Sequence, residues 1–261
     1  MKILNVKVNN ITFQETIIKI EEFIKTKKPH QICTVNPEFI MAAQKDREFR
    51  DVLNNADLSV PDGAGLLWAA KYLSKKSLVS SRQPSVIKER VAGIDLVWEM
   101  AKLAEKKGYI LYLLGAGPGV AEQTAITLRT KFPDLKIAGV SEGIPQLEPG
   151  RASVLDLDKY EKKLVTDICK LKTDILLVAY GAPKQDLFIA KYKKELNVPA
   201  MMGVGGSFDY ISGRIPRAPI WMQKLALEWL YRLINEPKRF NRIITATIRF
   251  PWKIICSTHR K

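Results

Sequence analysis

The chain has 261 residues, 46% of them hydrophobic and 26% charged, which excludes disorder throughout and allows one large domain or a domain with an appendage. No apolar run approaches the roughly 18–20 residues of a transmembrane helix, and Met1-Lys2-Ile3-Leu4-Asn5 opens no signal-peptide core. The formal net charge is +15, and residues 213–261 hold eleven Lys/Arg against two acids, Glu228 and Glu236, a net of +9.

Residues 3–8 alternate apolar and polar and predict a strand. Asn9-Asn10 turns the chain. Thr12 with Glu15 reads as a capping box ahead of Ile17, Ile20 and Ile24 at helical spacing. Five short apolar runs follow, at 31–35, 58–60, 109–114, 174–180 and 200–204, with a weaker one at 136–140. Between them lie helical patterns at about 39–56, 64–74, 94–107, 118–131, 157–171 and 184–196. This alternation predicts an α/β protein, a Rossmann-like, largely parallel sheet with helices on both faces. Residues 74–88 and 142–156 break the rhythm and are expected to be surface loops.

After Gly213 the character changes. Pro216 and Pro219 interrupt the chain, and 220–234 reads as an amphipathic, Trp-rich helix ended by Glu236-Pro237. A second, basic helix is expected over 238–249, before Pro251. The domain boundary falls near Gly213, giving a core of 1–212 and a basic helical appendage of 213–261. Such a tail seeks an anionic partner: ligand phosphates, nucleic acid or an anionic membrane surface. Its arginines Arg232, Arg239 and Arg242 alternate with Trp221, Trp229, Tyr231, Phe240, Phe250 and Trp252. That mixture suits a lipid headgroup interface or single-stranded nucleic acid. The same guanidinium groups suit a pyrophosphate.

Cysteines and histidines are sparse. Cys33, Cys169 and Cys256 are too far apart for a disulfide framework or zinc cluster, which fits a reducing cytoplasm. His30 and His259 exclude a His-rich metal site and argue against a Ser-His-Asp triad. Asp156-Leu157-Asp158 has the spacing of a metal-binding pair, yet it opens a helix, where acids are favoured by the dipole. No metal and no cofactor are expected.

In an open parallel sheet, ligands bind beyond the carboxyl ends of the strands. Five ends here carry small or polar residues: Thr34-Val35-Asn36-Pro37-Glu38, Pro61-Asp62-Gly63-Ala64-Gly65, Gly115-Ala116-Gly117-Pro118-Gly119, Gly181-Ala182-Pro183-Lys184-Gln185-Asp186 and Gly203-Val204-Gly205-Gly206-Ser207-Phe208-Asp209. Together they suggest one crevice whose backbone N–H groups approach phosphates. The third run resembles a dinucleotide loop, but Val120 stands where the last fingerprint glycine belongs. It reads as a tight turn or as a phosphate site at a helix N-terminus. Asp62 reads as a turn or capping residue, or as a general base in a partly desolvated cleft.

These motifs resemble those of the WecG/TagA/CpsF family of bacterial glycosyltransferases, most closely its TagA branch. The resemblance rests on Val35-Asn36-Pro37-Glu38, Ala56-Asp57-Leu58, Pro61-Asp62-Gly63-x-Gly65, Glu89-Arg90-Val91-x-Gly93-x-Asp95-Leu96, Gly181-x-Pro183-Lys184-Gln185, Gly203-Val204-Gly205-Gly206-x-Phe208-Asp209, Arg217-Ala218-Pro219 and Leu227-Glu228-Trp229-Leu230-Tyr231-Arg232 with Glu236-Pro237-x-Arg239. They occur in family order over about residues 30–242. Asp186 departs from the family's usual glutamate, the segment from Asp62 to Arg90 looks about ten residues longer than usual, and the 142–156 loop is atypical.

The resemblance implies an inverting, metal-independent transfer of N-acetylmannosamine. The donor is UDP-N-acetylmannosamine, and the acceptor is the 4-hydroxyl of N-acetylglucosamine on undecaprenyl diphosphate. The product is the β-1,4 linkage disaccharide of wall teichoic acid. It makes Asp62 the base, with Thr34, Asn36, Arg90 and Gln185 also catalytic. It places Asp209 near the nucleotide and gives Arg232, Arg239 and Arg242 as the tail arginines that bind the diphosphate; the crevice read from the strand ends adds Gly115, Gly117, Gly181, Gly205 and Gly206 as binding residues for the UDP-sugar. The core is then a nucleotide-sugar-binding catalytic domain. The appendage docks on the membrane and completes the site, and the protein sits peripherally on the inner face of the cell membrane. N-acetylmannosaminuronic acid or glucose transfer to a lipid-linked sugar for another surface polysaccharide stays open, as does a homo-oligomer. A basic nucleic-acid-binding protein would explain the charge and the Trp/Arg tail, but not five marked strand ends. No nucleic-acid partner is therefore expected.

Overall fold

The computed structural model describes residues 1–76, 86–142, 154–225 and 227–258, without the side chains of 154–157 and 224. The chain opens with β1 (Lys2–Ile3) and β2 (Val6–Lys7), paired antiparallel. Leu4 and Asn5, at φ 45° and 64°, make the turn. The single strand expected over 3–8 is therefore a miniature hairpin. Ile3, Val6 and Val8 are all buried by it, so the same apolar residues served a doubled-back chain. Asn5 tolerates the left-handed conformation through its short polar side chain.

The capping box forms as expected. Thr12 N donates to Glu15 Oε2 at 2.8 Å, and Glu15 N donates to Thr12 Oγ1 at 3.2 Å, just ahead of α1 (Phe13–Thr26). After β3 (His30–Val35), the helix expected over 39–56 is two helices, α2 (Pro37–Ala43) and α3 (Arg47–Asn55). Asp46 caps the second, accepting from Phe49 N at 2.9 Å. An Asp three residues before an apolar position was the available signal.

Next come β4 (Leu58–Pro61), α4 (Ala64–Lys76), α5 (Gly93–Lys107), β5 (Ile110–Gly115), α6 (Val120–Lys131), β6 (Lys136–Ser141), α7 (Val154–Lys170), β7 (Ile175–Ala179), α8 (Lys184–Leu196), β8 (Ala200–Gly203) and α9 (Ser207–Ile211). Of the two expected loops, residues 77–85 and 143–153 lie outside the described residues, and α7 starts ahead of the predicted helix. The sheet order is β4-β3-β8-β7-β5-β6, and every pair from β3 to β6 is parallel. The α/β fold with a largely parallel sheet is thus what the alternation predicted. β7 and β8 are buried at every residue, which is why they read as unbroken apolar runs. β6 lies at the sheet edge with no fully buried residue, which is why its run was the weak one.

The tail is more broken than predicted. The helix expected over 220–234 is α10 (Ile220–Lys224) and α11 (Glu228–Asn235). A 3-10 turn (Pro237–Arg239) leads into α12 (Phe240–Ile244), a π segment (Thr245–Arg249) and α13 (Phe250–Thr258), which carries the coil past Pro251. A proline inside a helix lacks a donor and presses on the carbonyl four residues back. The widened π turn just before it relieves both constraints.

The chain forms two compact units. The first comprises Met1–Thr16, Cys33–Ala92 and Ile215–Lys261; the second comprises Ile17–Ile32 and Gly93–Arg214. In the first, α13 packs on α4 and α2, with Phe250 and Ile254 fully buried. In the second, a core built on Leu114, Leu176, Val178 and Met201 is covered by Val165 and Ile168 of α7 and Phe188, Ile189 and Tyr192 of α8.

Candidate active site

In the first unit, the ends of β3 and β4 are built against each other. Asp62 N donates to Val35 O at 2.7 Å, and Val91 N donates to Pro61 O at 2.8 Å. These two bonds seat the Pro-Asp-Gly turn beside the Asn-Pro turn and bring the Glu-Arg-Val segment alongside. Asn36 Oδ1 caps α2 by accepting from Phe39 N at 3.0 Å. Thr34 is buried in β3. Gly65 is required by close approach: a Cβ there would lie 2.8 Å from Pro37 Cγ and 3.8 Å from Phe250 Cε1.

Arg90 links the predicted base to the tail. Its Nε lies 3.7 Å from Asp62 Oδ1, and its Nη1 lies 2.5 Å from Glu228 Oε2 at the start of α11. Arg217 Nε reaches Glu228 Oε1 at 3.5 Å. Four alternating charges, Asp62, Arg90, Glu228 and Arg217, therefore stand in a row. Burial pulls the pKa of Arg90 down, but the charges of Asp62 and Glu228 outweigh it and the net shift is upward.

The other tail arginines also face acids in this unit. Arg232 and Arg239 both pair with Glu236, at 3.5 and 2.5 Å, and Arg242 Nη2 lies 2.6 Å from Glu38 Oε2. The two acids of the tail, Glu228 and Glu236, are each a hub for two arginines. Glu38, Arg217, Glu228 and Glu236 lie within the family motifs, but their place in the sequence does not show which charge each one meets. A rare acid within a run of basic residues was the signal for the last two.

In the second unit, the ends of β5, β7 and β8 come together. Ala116 N donates to Ala179 O at 3.0 Å. Gln185 is buried, and its Oε1 accepts from Gly205 N at 2.9 Å. Its amide lies over Gly203, where a Cβ would come 2.5 Å from Nε2. Gly181 opens the turn into α8, with Gln185 N donating to its carbonyl at 3.0 Å. Gly206 caps α9, and Asp209 lies in that helix's first turn. Arg214 Nη1 lies 3.9 Å from Asp209 Oδ1 and would be 2.6 Å from a Cβ on Gly117, so it reaches over the 115–119 loop.

Gly119, at φ 71°, stands at the N-cap of α6. Its N–H donates to Glu142 Oε1 at 3.0 Å, so a carboxylate of the chain faces this helix start. Asp158 is held by Lys162 at 2.7 Å and Lys191 at 3.3 Å. The lysine hydrogen bonds, that of Lys162 foremost, lower its pKa. The side chain of Asp156 lies outside the described residues. Among the described residues, no group of three or more His, Cys, Asp or Glu is placed to hold a metal ion. Nor is any helix there long and apolar enough to cross a membrane.

A parallel α/β sheet with glycine-rich strand ends, and a carboxylate–guanidinium cluster at the Pro-Asp-Gly turn, is an architecture that can hold a phosphorylated ligand beside a proton acceptor. The family model for glycosyl transferases of the WecG/TagA/CpsF type matches residues 1–261, and the chain belongs to that family. It is 34% identical over 226 residues to the N-acetylglucosaminyldiphosphoundecaprenol N-acetyl-beta-D-mannosaminyltransferase of Bacillus subtilis (strain 168), covering 86% of this chain and 79% of the relative. The protein of the same name from Staphylococcus aureus (strain MW2) is 30% identical over 254 residues, covering 97% of this chain and 91% of the relative.

Proposed function

We propose that this glycosyltransferase moves N-acetylmannosamine from UDP-N-acetylmannosamine to the 4-hydroxyl of N-acetylglucosamine on undecaprenyl diphosphate. The transfer inverts the anomeric carbon to a β-1,4 linkage, needs no metal ion, and makes the linkage disaccharide of wall teichoic acid. The names of the relatives support the transferred sugar and the lipid-linked acceptor. In this chain the reading is carried by one observation, the placing of the Asp62 carboxylate against Arg90 at the end of a buried strand.

The reaction is a single in-line displacement. The acceptor oxygen forms a bond to the anomeric carbon as the bond from that carbon to the β-phosphate oxygen of UDP breaks. Asp62 takes the hydroxyl proton. The departing electron pair stays on UDP, where guanidinium and backbone N–H groups offset the new charge. Arg232, Arg239 and Arg242 serve as these cations, with the diphosphate entering where Glu236 and Glu38 now stand. Gly115, Gly117, Gly181, Gly205 and Gly206 let the backbone come close to the nucleotide, with Gln185 and Asp209 beside it. Thr34, Asn36 and Arg90 line the reacting centre.

The segment 213–261 docks the enzyme peripherally on the anionic inner face of the cell membrane and completes the site over the core of 1–212. Support comes from the exposure of Ile220, Trp221, Leu225 and Trp252 on a segment with a net charge of +9. Vesicles containing anionic lipid should sediment the protein, and neutral vesicles or added salt should release it.

Product analysis tests the reaction. The purified chain, given UDP-N-acetylmannosamine and a lipid-diphosphate N-acetylglucosamine, should form the disaccharide in the presence of a chelator. N-acetylmannosaminuronic acid or glucose as the preferred donor would overturn the sugar assignment. Asp62→Asn should lower turnover by about 10²–10⁴-fold, the usual worth of a general base. Near-normal turnover would remove Asp62 from that role.

A further inference from the structure

We infer that Glu228 is a positioning residue for the transfer reaction: it holds the Arg90 guanidinium beside, and not closed upon, Asp62. The inference rests on the reading of Asp62 as the base. It gives the basic C-terminal segment a second contribution, an anion placed next to the catalytic carboxylate.

Three elements meet here within one compact unit. Asp62 follows β4, Arg90 precedes α5, and Glu228 opens α11. Arg90 is shared unequally. Its Nη1 is 2.5 Å from Glu228 Oε2, while its Nε is 3.7 Å from Asp62 Oδ1, beyond hydrogen-bond reach. The buried Nε makes no hydrogen bond. Arginine–carboxylate pairs frequently close into a bidentate fork. Such a fork would occupy the carboxylate lone pairs that must receive the acceptor proton. Glu228 draws the guanidinium the other way, and Arg217, 3.5 Å from its second oxygen, balances the added negative charge. The side chains of Arg90, Asp62 and Glu228 are 31%, 25% and 22% exposed. Water therefore screens these charges less than it would at the open surface.

Neutralising Glu228 leaves Arg90 free to collapse onto Asp62. Misplacing a reacting group by about an ångström costs on the order of 10²-fold in rate. In Glu228→Gln, kcat should therefore fall by about 10–10²-fold while the KM for UDP-N-acetylmannosamine stays within about threefold, because the loss falls on the chemical step. Glu228→Asp, which keeps the charge, should recover part of that loss. Arg90→Lys combined with Glu228→Gln should be no slower than Arg90→Lys alone, since the two residues act as one unit.

The measurements use the full chain, with unfolding midpoints taken in parallel. Should Glu228→Gln not fold, Arg217→Gln withdraws the outer support and should lower kcat by roughly 3–10-fold with the same unchanged KM. Unaltered kcat in the folded Glu228 or Arg217 variant would overturn the inference. So would a fall in KM-limited binding alone, or additive losses in the double variant. Asp62→Asn separates the two levels. If it is inactive while Glu228→Gln is normal, the positioning role fails and the base stands; if Asp62→Asn is active, the base assignment itself fails.

Discussion

Arg242 and Glu38, 204 residues apart in the chain, meet at a single carboxylate oxygen, with Nε at 2.7 Å and Nη2 at 2.6 Å. The pair ties α12 in the tail to the first turn of α2, next to the Asn36 cap. Half of the arginine side chain is exposed, so the tie contributes only about 0.2–1 kcal/mol. Arg242→Glu should lower the unfolding midpoint slightly and lower turnover strongly. Adding Glu38→Arg should restore the midpoint by reversing the pair. It should leave turnover low, because the guanidinium proposed to face the diphosphate is still missing from position 242. Recovery of full turnover in the swapped protein would reduce Arg242 to a tether.

Gly65→Ala tests the packing of the Pro-Asp-Gly turn against the Asn-Pro turn. In an open helix such a change stabilises by about 0.5–1 kcal/mol. Here the new methyl would lie 2.8 Å from the rigid Pro37 ring. Overpacking of this kind costs about 1–3 kcal/mol, so the sign should reverse. Urea unfolding should show a lower midpoint. Turnover should fall with it, because Pro37 follows Asn36 in the turn seated beside Asp62.

The sequence carried much of this arrangement and hid a definite part of it. Buried strands such as β7 announce themselves because both faces are covered, and Thr12 with Glu15 announces a helix start because capping is local chemistry. The Leu4-Asn5 turn stayed hidden because residues 3–8 alternate equally well in one strand or two. The split at Asp46 stayed hidden because the apolar spacing continues across it. Asp62 and Arg90 could be named from their motifs. The pairing of Glu38, Glu228 and Glu236 with their arginines could not be read there, since which acid meets which arginine depends on where α10–α13 settle.

Gln185 holds a loop as well as standing in the proposed site. Gln185→Ala removes the acceptor of the Gly205 N–H, 2.9 Å away, and opens space over Gly203. An orphaned N–H costs about 1–3 kcal/mol. The unfolding midpoint should therefore fall by a comparable free energy in urea titrations. In steady-state assays the donor KM should rise more than kcat falls, because the 203–206 loop is assigned to the nucleotide. A large fall in kcat with unchanged KM would place Gln185 in the chemical step instead.

Glu15 gives a prediction in pH. Hydrogen bonds from the Thr12 backbone and then its side chain lower the Glu15 pKa from its ordinary 4.5. A carboxyl lowered on folding stabilises the fold when ionised, so its contribution is fully present above pH 4.5 and is lost as pH falls through the folded value. At pH 7, Glu15→Ala should therefore unfold at lower urea than the parent, through loss of the reciprocal cap on α1. The gap between the two midpoints should narrow progressively below pH 4.5, once the parent's carboxyl takes up its proton. Equal gaps at pH 7 and pH 3 would show that the Ala variant acts through helix propensity or packing, not through the ionised cap.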